Sequence, residues 1–145
     1  LLKLNDQTLL ECAICAARDA GAQRVAVVGA PELEPFCKSA DARLNEGESG
    51  VDNVFRALDW LEQENSTKRV LILSTDLPFV TGESLKTFLN NCPQDADICV
   101  PLVARETYHR TFPAAPGTWN ALRRNGVSGQ WSTGSAFLVS THVLH

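Results

Sequence analysis

Four consecutive large apolar residues, Val70-Leu-Ile-Leu73, run into Ser74, Thr75 and Asp76, and no other stretch constrains this chain as strongly. A short, continuously apolar run bounded by small polar residues is the pattern of a strand covered on both faces. Residues 69–76 are therefore expected to form a central strand with a carboxylate at its exposed carboxyl end.

The segments around it alternate. Leu9, Leu10, Ala13, Ile14 and Ala17 recur at helical spacing, and Gly21 closes them, which predicts a helix over 8–20. Residues 24–29 are β-branched and run into Gly29, Ala30 and Pro31, the form of a buried strand that then turns. Residues 46–50 form a Gly/Glu/Ser loop before Val51, Val54, Phe55, Leu58 and Leu61 at helical spacing; the stretch from Asp41 lacks the pattern of a strand. Further along come a helix capped by Thr81 or Ser84, a strand over 96–103, a helix over 114–124 and a last strand over 135–140. Strands alternating with helices imply right-handed crossovers, hence an α/β fold in three layers, α/β/α, with a mostly parallel sheet.

At 145 residues with 44% apolar composition the sequence fits one domain, residues 1–145. A net charge of -4 with interspersed signs leaves no basic stripe for nucleic acid. No apolar run approaches the about 20 residues of a membrane span, and no secretory leader is present, so a soluble, cytoplasmic protein is expected. Five scattered cysteines read as reduced thiols, with Cys12 and Cys15 packed in the first helix. His109, His142 and His145 are too far apart to pair as metal ligands and read as surface or packing residues. Neither Ser49 nor Ser135 sits in a nucleophile elbow. The chain contains no Met, starts at Leu1 and stops at His145 just after an apolar run, so it reads as a fragment truncated at both ends.

In parallel sheets ligands sit beyond the carboxyl ends of the strands, which points to Gly29, Ala30 and Pro31, to Asp76, and to the loop entering the helix near Val51. A rigid carboxylate at Asp76 suits Mg²⁺, which takes one or two carboxylates and completes its shell with water and phosphate oxygens. It equally suits a capping role in the turn that follows. Ser49 and Gly50 could offer amides to an anion at a helix N-terminus or form a plain solvent loop, and Asp52 and Asn53 could cap or face a ligand.

Read in order, these segments resemble the nucleotidyltransferases similar to molybdenum-cofactor guanylyltransferase, which have a Rossmann-like, glycosyltransferase-A-like fold. Leu4-Asn-Asp-Gln-Thr-Leu-Leu-Glu11 is similar to the family's L-x-G-x-P-L-L-E stretch, and Glu48-Ser-Gly-Val-Asp-Asn53 to its nucleotide-side loop. Leu73-Ser-Thr-Asp-Leu-Pro78 is similar to its D-x-P metal motif, and Thr133-Gly-Ser-Ala-Phe-Leu138 to its acceptor segment. The resemblance implies Mg²⁺ on Asp76. It implies a nucleoside triphosphate along Gly29, Ala30, Pro31, Ser49, Gly50, Asp52 and Asn53, and a small phosphorylated acceptor near Gly134 and Ser135. It also implies transfer of a nucleoside monophosphate with release of pyrophosphate. The family's glycine-rich loop would fall just before Leu1, so the fragment is expected to be inactive alone; an Asn usually stands where Ser135 does. Two other readings remain open here: a glycosyltransferase using a nucleotide-sugar, and a non-catalytic nucleotide-binding α/β module.

Overall fold

Thr8 starts the first helix because it and Glu11 satisfy each other's backbone. The Glu11 N–H donates to Thr8 Oγ1 at 3.2 Å and the Thr8 N–H to Glu11 Oε2 at 2.8 Å, a reciprocal cap on two otherwise orphaned donors. The computed structural model describes residues 1–4, 6–63, 69–124 and 126–143; Asn5 of the first motif and His145 lie outside them. Two short strands, β1 (Lys3–Leu4) and β2 (Gln7–Thr8), pair antiparallel ahead of α1 (Leu9–Asp19). The helix buries Leu10, Ala13, Ile14, Ala16 and Ala17 and ends at Ala20, with Gly21 taking φ 103°, a conformation that costs glycine little.

Strand β3 (Ala26–Val28) pairs parallel with β4 (Ala42–Leu44), and a 3₁₀ segment, Pro31–Phe36, lies between them. Leu10 and Ile14 of α1 pack with Val27 and Cys37 in one core cluster. The strand at β4 corrects the sequence reading of the segment from Asp41: it is only three residues long, and its partner β3, not its own pattern, defines it. Helix α2 (Gly50–Gln63) follows and lays Leu58 and Leu61 on Val70 of β5 (Arg69–Leu73), the second core cluster.

Helix α3 (Gly82–Asn91) is capped by both residues expected, Thr81 accepting from the Ser84 N–H and Ser84 from the Thr81 N–H, each at 3.1 Å. It packs against α1 so closely that a Cβ on Gly82 would lie 2.4 Å from Asp19 Cβ. The strand expected over 96–103 is two, β6 (Ile98–Cys99) and β7 (Leu102–Ala104), parted at Pro101, which has no N–H to give a ladder. After α4 (Arg105–Thr111), the helix expected over 114–124 is replaced by an irregular stretch and β8 (Asn120–Arg124). Pro113, Pro116 and Gly117 oppose a helix there, and β8 forms a hairpin with β9 (Val127–Thr133). Strand β10 (Ala136–Ser140) closes the order.

The molecule is a mixed α/β protein, but its sheets differ from the mostly parallel one expected. Among the described residues β3–β4 is the one parallel pair; the sheets β5-β10-β6 and β7-β9-β8 are antiparallel throughout. Strand β5 pairs with β10, which holds the middle of their sheet in place of the β5 expected there. Burial follows that order, since Ala136, Leu138 and Val139 of β10 are all buried but only Val70 of β5 is. No helix among the described residues is long and apolar enough to cross a membrane.

Candidate functional site

The parallel pair brings two of the expected segments together. The Gly29 N–H donates to the Leu44 carbonyl at 3.0 Å, so Gly29, Ala30 and Pro31 leave β3 beside the point where the chain leaves β4 toward Ser49. Arg43 fixes this junction. Its Nη1 donates to the Gly29 carbonyl at 3.0 Å and to Asn45 Oδ1 at 2.9 Å, while its Nε meets Glu34 Oε2 at 2.6 Å. Beyond it, Ser49 Oγ accepts the Asp52 N–H at 3.1 Å, and Asn53 Oδ1 accepts the Gly47 N–H at 2.7 Å. Ser49 thus caps the start of α2, and the Asn53 side chain, for which spacing left capping or a ligand open, reaches back to the loop before the helix. Ser49, Gly50 and Asp52 remain exposed, and Pro31 is exposed beside half-buried Ala30.

A second group forms where β5 ends. Leu73 pairs with Ala136, and one step further the Ser74 N–H donates to the Ser135 carbonyl at 3.1 Å. Gly134 donates to the Pro101 carbonyl at 2.9 Å, and a Cβ on Gly134 would lie 2.7 Å from Pro101 Cγ. The backbone at 134 therefore approaches the proline ring as only glycine can. Asp76 stands two residues past Ser74, exposed, with Oδ1 accepting from Ser74 Oγ. The turn after it closes through its own backbone, Val80 N–H to the Leu77 carbonyl at 3.3 Å. The Asp76 hydrogen bond thus comes from Ser74 and leaves the amides of the following turn alone.

Helix α2 relates the two groups. It begins at the Ser49–Asn53 group, and β5, the next described element, ends shortly before Asp76. Val54, one turn into α2, and Ile72, one residue from the end of β5, both pack against the cluster of Leu58, Leu61 and Val70. The expected residues thus fall into two clusters, Gly29, Ala30 and Pro31 with Ser49, Gly50, Asp52 and Asn53, and Asp76 with Gly134 and Ser135. No hydrogen bond joins the clusters among the described residues.

The family model of the MobA-like NTP transferase domain matches residues 1–135, which include every residue of both clusters. The chain belongs to this family. No curated protein sequence matches it. Among solved structures, a hypothetical transferase from Thermus thermophilus superposes with a TM-score of 0.75 at 24% identity, over 92% of this chain and 52% of that one. The 2-C-methyl-D-erythritol 4-phosphate cytidylyltransferase from Thermus thermophilus gives 0.67 at 21% identity, over 99% of this chain and 65% of that one. At these identities the likeness is one of fold, and the chain spans about half of the first protein and under two thirds of the second.

For a divalent cation, Asp76 would be the one ligand among the expected site residues that fits. Asp76 offers a single exposed carboxylate oriented by Ser74, and one carboxylate with open access fits Mg²⁺ completed by water and phosphate oxygens. Among the described residues no three His, Cys, Asp or Glu side chains converge as a closed metal cage. Sequence reasoning missed Arg43, Asn45 and Ser74. The first two belong to a segment not read as a strand, and Ser74 stood inside the quoted motif without a role.

The remaining side chains of interest lie elsewhere. His142 Nε2 sits 2.9 Å from Asp97 Oδ1, and His109 meets Tyr108 edge-on and lies tilted against Trp119. Trp119 also lies under the Arg105 guanidinium. Burial pushes the Cys37 thiol up, with the Glu34 charge adding to it, as suits a packed cysteine. Cys15, by contrast, is exposed and Cys12 half-buried, so the Cys12/Cys15 pair is not the core packing expected.

Proposed function

We propose that the protein is a Mg²⁺-dependent nucleotidyltransferase that moves a nucleoside monophosphate from a nucleoside triphosphate to a small phosphorylated acceptor. The observation that carries this reading is the Ser74–Ser135 hydrogen bond, because it sets the segment proposed to meet the acceptor against the carboxylate proposed to hold the metal. In the reaction an acceptor phosphate oxygen attacks the α-phosphorus, the bond to the bridging oxygen breaks, and pyrophosphate leaves with the electron pair. Gly29, Ala30 and Pro31 and the capped Ser49–Asn53 turn hold the base and ribose. Gly134 and Ser135 position the acceptor. Asp76, aligned by Ser74, would hold Mg²⁺, which when bound supplies positive charge against the phosphate oxygens. A reaction that consumes nucleoside triphosphates suits the cytoplasm as its compartment.

The test uses the full-length protein, supplied in parallel with the four nucleoside triphosphates and with nucleotide-sugars, and measures pyrophosphate release. The reading expects release from a triphosphate that needs Mg²⁺ and falls by about 100-fold or more in Asp76→Ala, equivalent to ~2.7 kcal/mol of transition-state stabilisation. Consumption of the nucleotide-sugar instead makes the protein a glycosyltransferase. Nucleotide binding indifferent to Mg²⁺ and to Asp76 makes it a non-catalytic module.

A further inference from the structure

Two cysteines outside the proposed site are held at one point of the fold. Cys92 ends α3, its N–H bonded to the Leu89 carbonyl at 3.2 Å, and Cys99 lies on β6 opposite Leu138 of the central strand. Arg69 joins the two places with a single nitrogen. Its Nη2 donates to the carbonyl of Pro93, next in sequence to Cys92, at 3.1 Å, and lies 3.6 Å from the Cys99 sulfur. Its Nε is buried without a hydrogen-bond partner, which leaves donor capacity for a negatively charged sulfur or oxygen beside it.

From this arrangement we infer that Cys92 and Cys99 form a reversible dithiol–disulfide pair, in which Cys99 meets the oxidant and Cys92 resolves it. Exposure sets the order, since Cys99 is half-buried and Cys92 is buried. The protonation of Cys92 agrees. Burial first, then hydrogen bonding and charge from the neighbouring Cys99, push its thiol up to about 11, as suits the thiol that does not meet the oxidant first. With a hydroperoxide as oxidant, the Cys99 sulfur takes one peroxide oxygen, the O–O bond breaks, and an alcohol or water leaves. The resulting sulfenic acid is attacked by the Cys92 sulfur, the S–O bond breaks, and its oxygen departs as water with the Cys92 proton. Two electrons pass from the thiols to the peroxide, and an external dithiol returns them.

Lys86 and Arg105 bracket one tryptic peptide, residues 87–105, that holds Cys92 and Cys99 and no other cysteine. The full-length protein is exposed to limiting hydrogen peroxide, quenched, alkylated in denaturant, digested and weighed. The expected result is a peptide lighter by two hydrogens that takes no alkyl group and regains both sites after dithiothreitol. In Cys92→Ser the product is instead a dimedone-trapped sulfenic acid on Cys99. The inference is overturned if both cysteines still alkylate at peroxide levels that oxidise exposed Cys15. It is also overturned if Cys99 advances to sulfinic acid with Cys92 free, or bridges another cysteine. The wild-type peptide decides by itself, so a poorly folding variant leaves the answer intact.

Discussion

Asn53 Oδ1 holds the Gly47 N–H at 2.7 Å, so a side chain in the first turn of α2 ties down the loop that leads into it. The same loop is closed on its other side by bulk, since a Cβ on Gly47 would lie 2.6 Å from Asp52 Cβ and 3.0 Å from Arg56 Nε. Ser49 and Gly50 owe their position to both contacts.

Replacing Asn53 with Ala removes the acceptor and is expected to cost about 1 kcal/mol in urea denaturation. If the loop carries the nucleotide, KM for the triphosphate rises several-fold while kcat changes little. A lowered urea midpoint with an unchanged KM assigns the loop to stability alone.

Asp41 gives the fold an acid-sensitive clamp. Its Oδ2 accepts the Val25 N–H and the Arg18 Nη2 donor, each at 2.6 Å, and Arg18 also reaches the carbonyls of Ala22, Gln23 and Ser39. Burial pushes the carboxyl up, but the Val25 hydrogen bond and the Arg18 and Arg24 charges outweigh it and hold Asp41 below the usual carboxylate range. A folded pKa below the unfolded one means stability that is complete above the unfolded value of about 3.9 and is lost as pH falls through the folded value. Both side chains keep contact with water, so the expected worth is ~1 kcal/mol. Urea midpoints of the wild type and Asp41→Asn should differ by a constant amount near neutrality and converge in acid. Parallel curves down to the acid limb would remove Asp41 as the titrating group.

Gly134→Ala drives a methyl group into the Pro101 ring, which has no rotamer by which to yield. A loss of about 1–3 kcal/mol is expected from the overpacking. If Gly134 and Ser135 position the acceptor, kcat/KM for the acceptor should drop with KM for the triphosphate little affected. An equal loss for both substrates would place the acceptor elsewhere.

Thr8→Ala should lower stability by about 1 kcal/mol, read as a lowered midpoint of thermal or urea unfolding. Thr8 is only 1% exposed, so no water replaces its hydroxyl at the head of α1. Thr8→Ser keeps the oxygen and should recover most of the loss.

Local chemistry was legible in the sequence wherever a residue determines its own neighbourhood. Thr8 and Gly21 bound α1, Thr81 and Ser84 cap α3, and the apolar runs of β5 and β10 are strands. What escaped depends on a distant partner. Strand β4 exists because β3 lies beside it, and β8 because Gly126, at φ 82°, turns the chain back into β9. The order of strands was misread for the same reason, since β10 enters between β5 and β6 from more than sixty residues after Leu73. At the candidate site the individual residues were visible as motifs. The neighbourhood of Asp76 and Ser135 was not, because it rests on the register of Leu73 against Ala136. Arg43 carried no motif, and its value lies in the carbonyl it reaches on another strand.

The parting of β6 from β7 at Pro101 has an architectural consequence. The chain leaves one sheet there and re-enters it at Gly134, and these two points are hydrogen-bonded to each other at 2.9 Å. Between these two points β7, β9 and β8 build a sheet of their own, with α4 packed on β7 and β9. The Pro101–Gly134 contact is therefore the joint at which one sheet hands the chain to the other and takes it back.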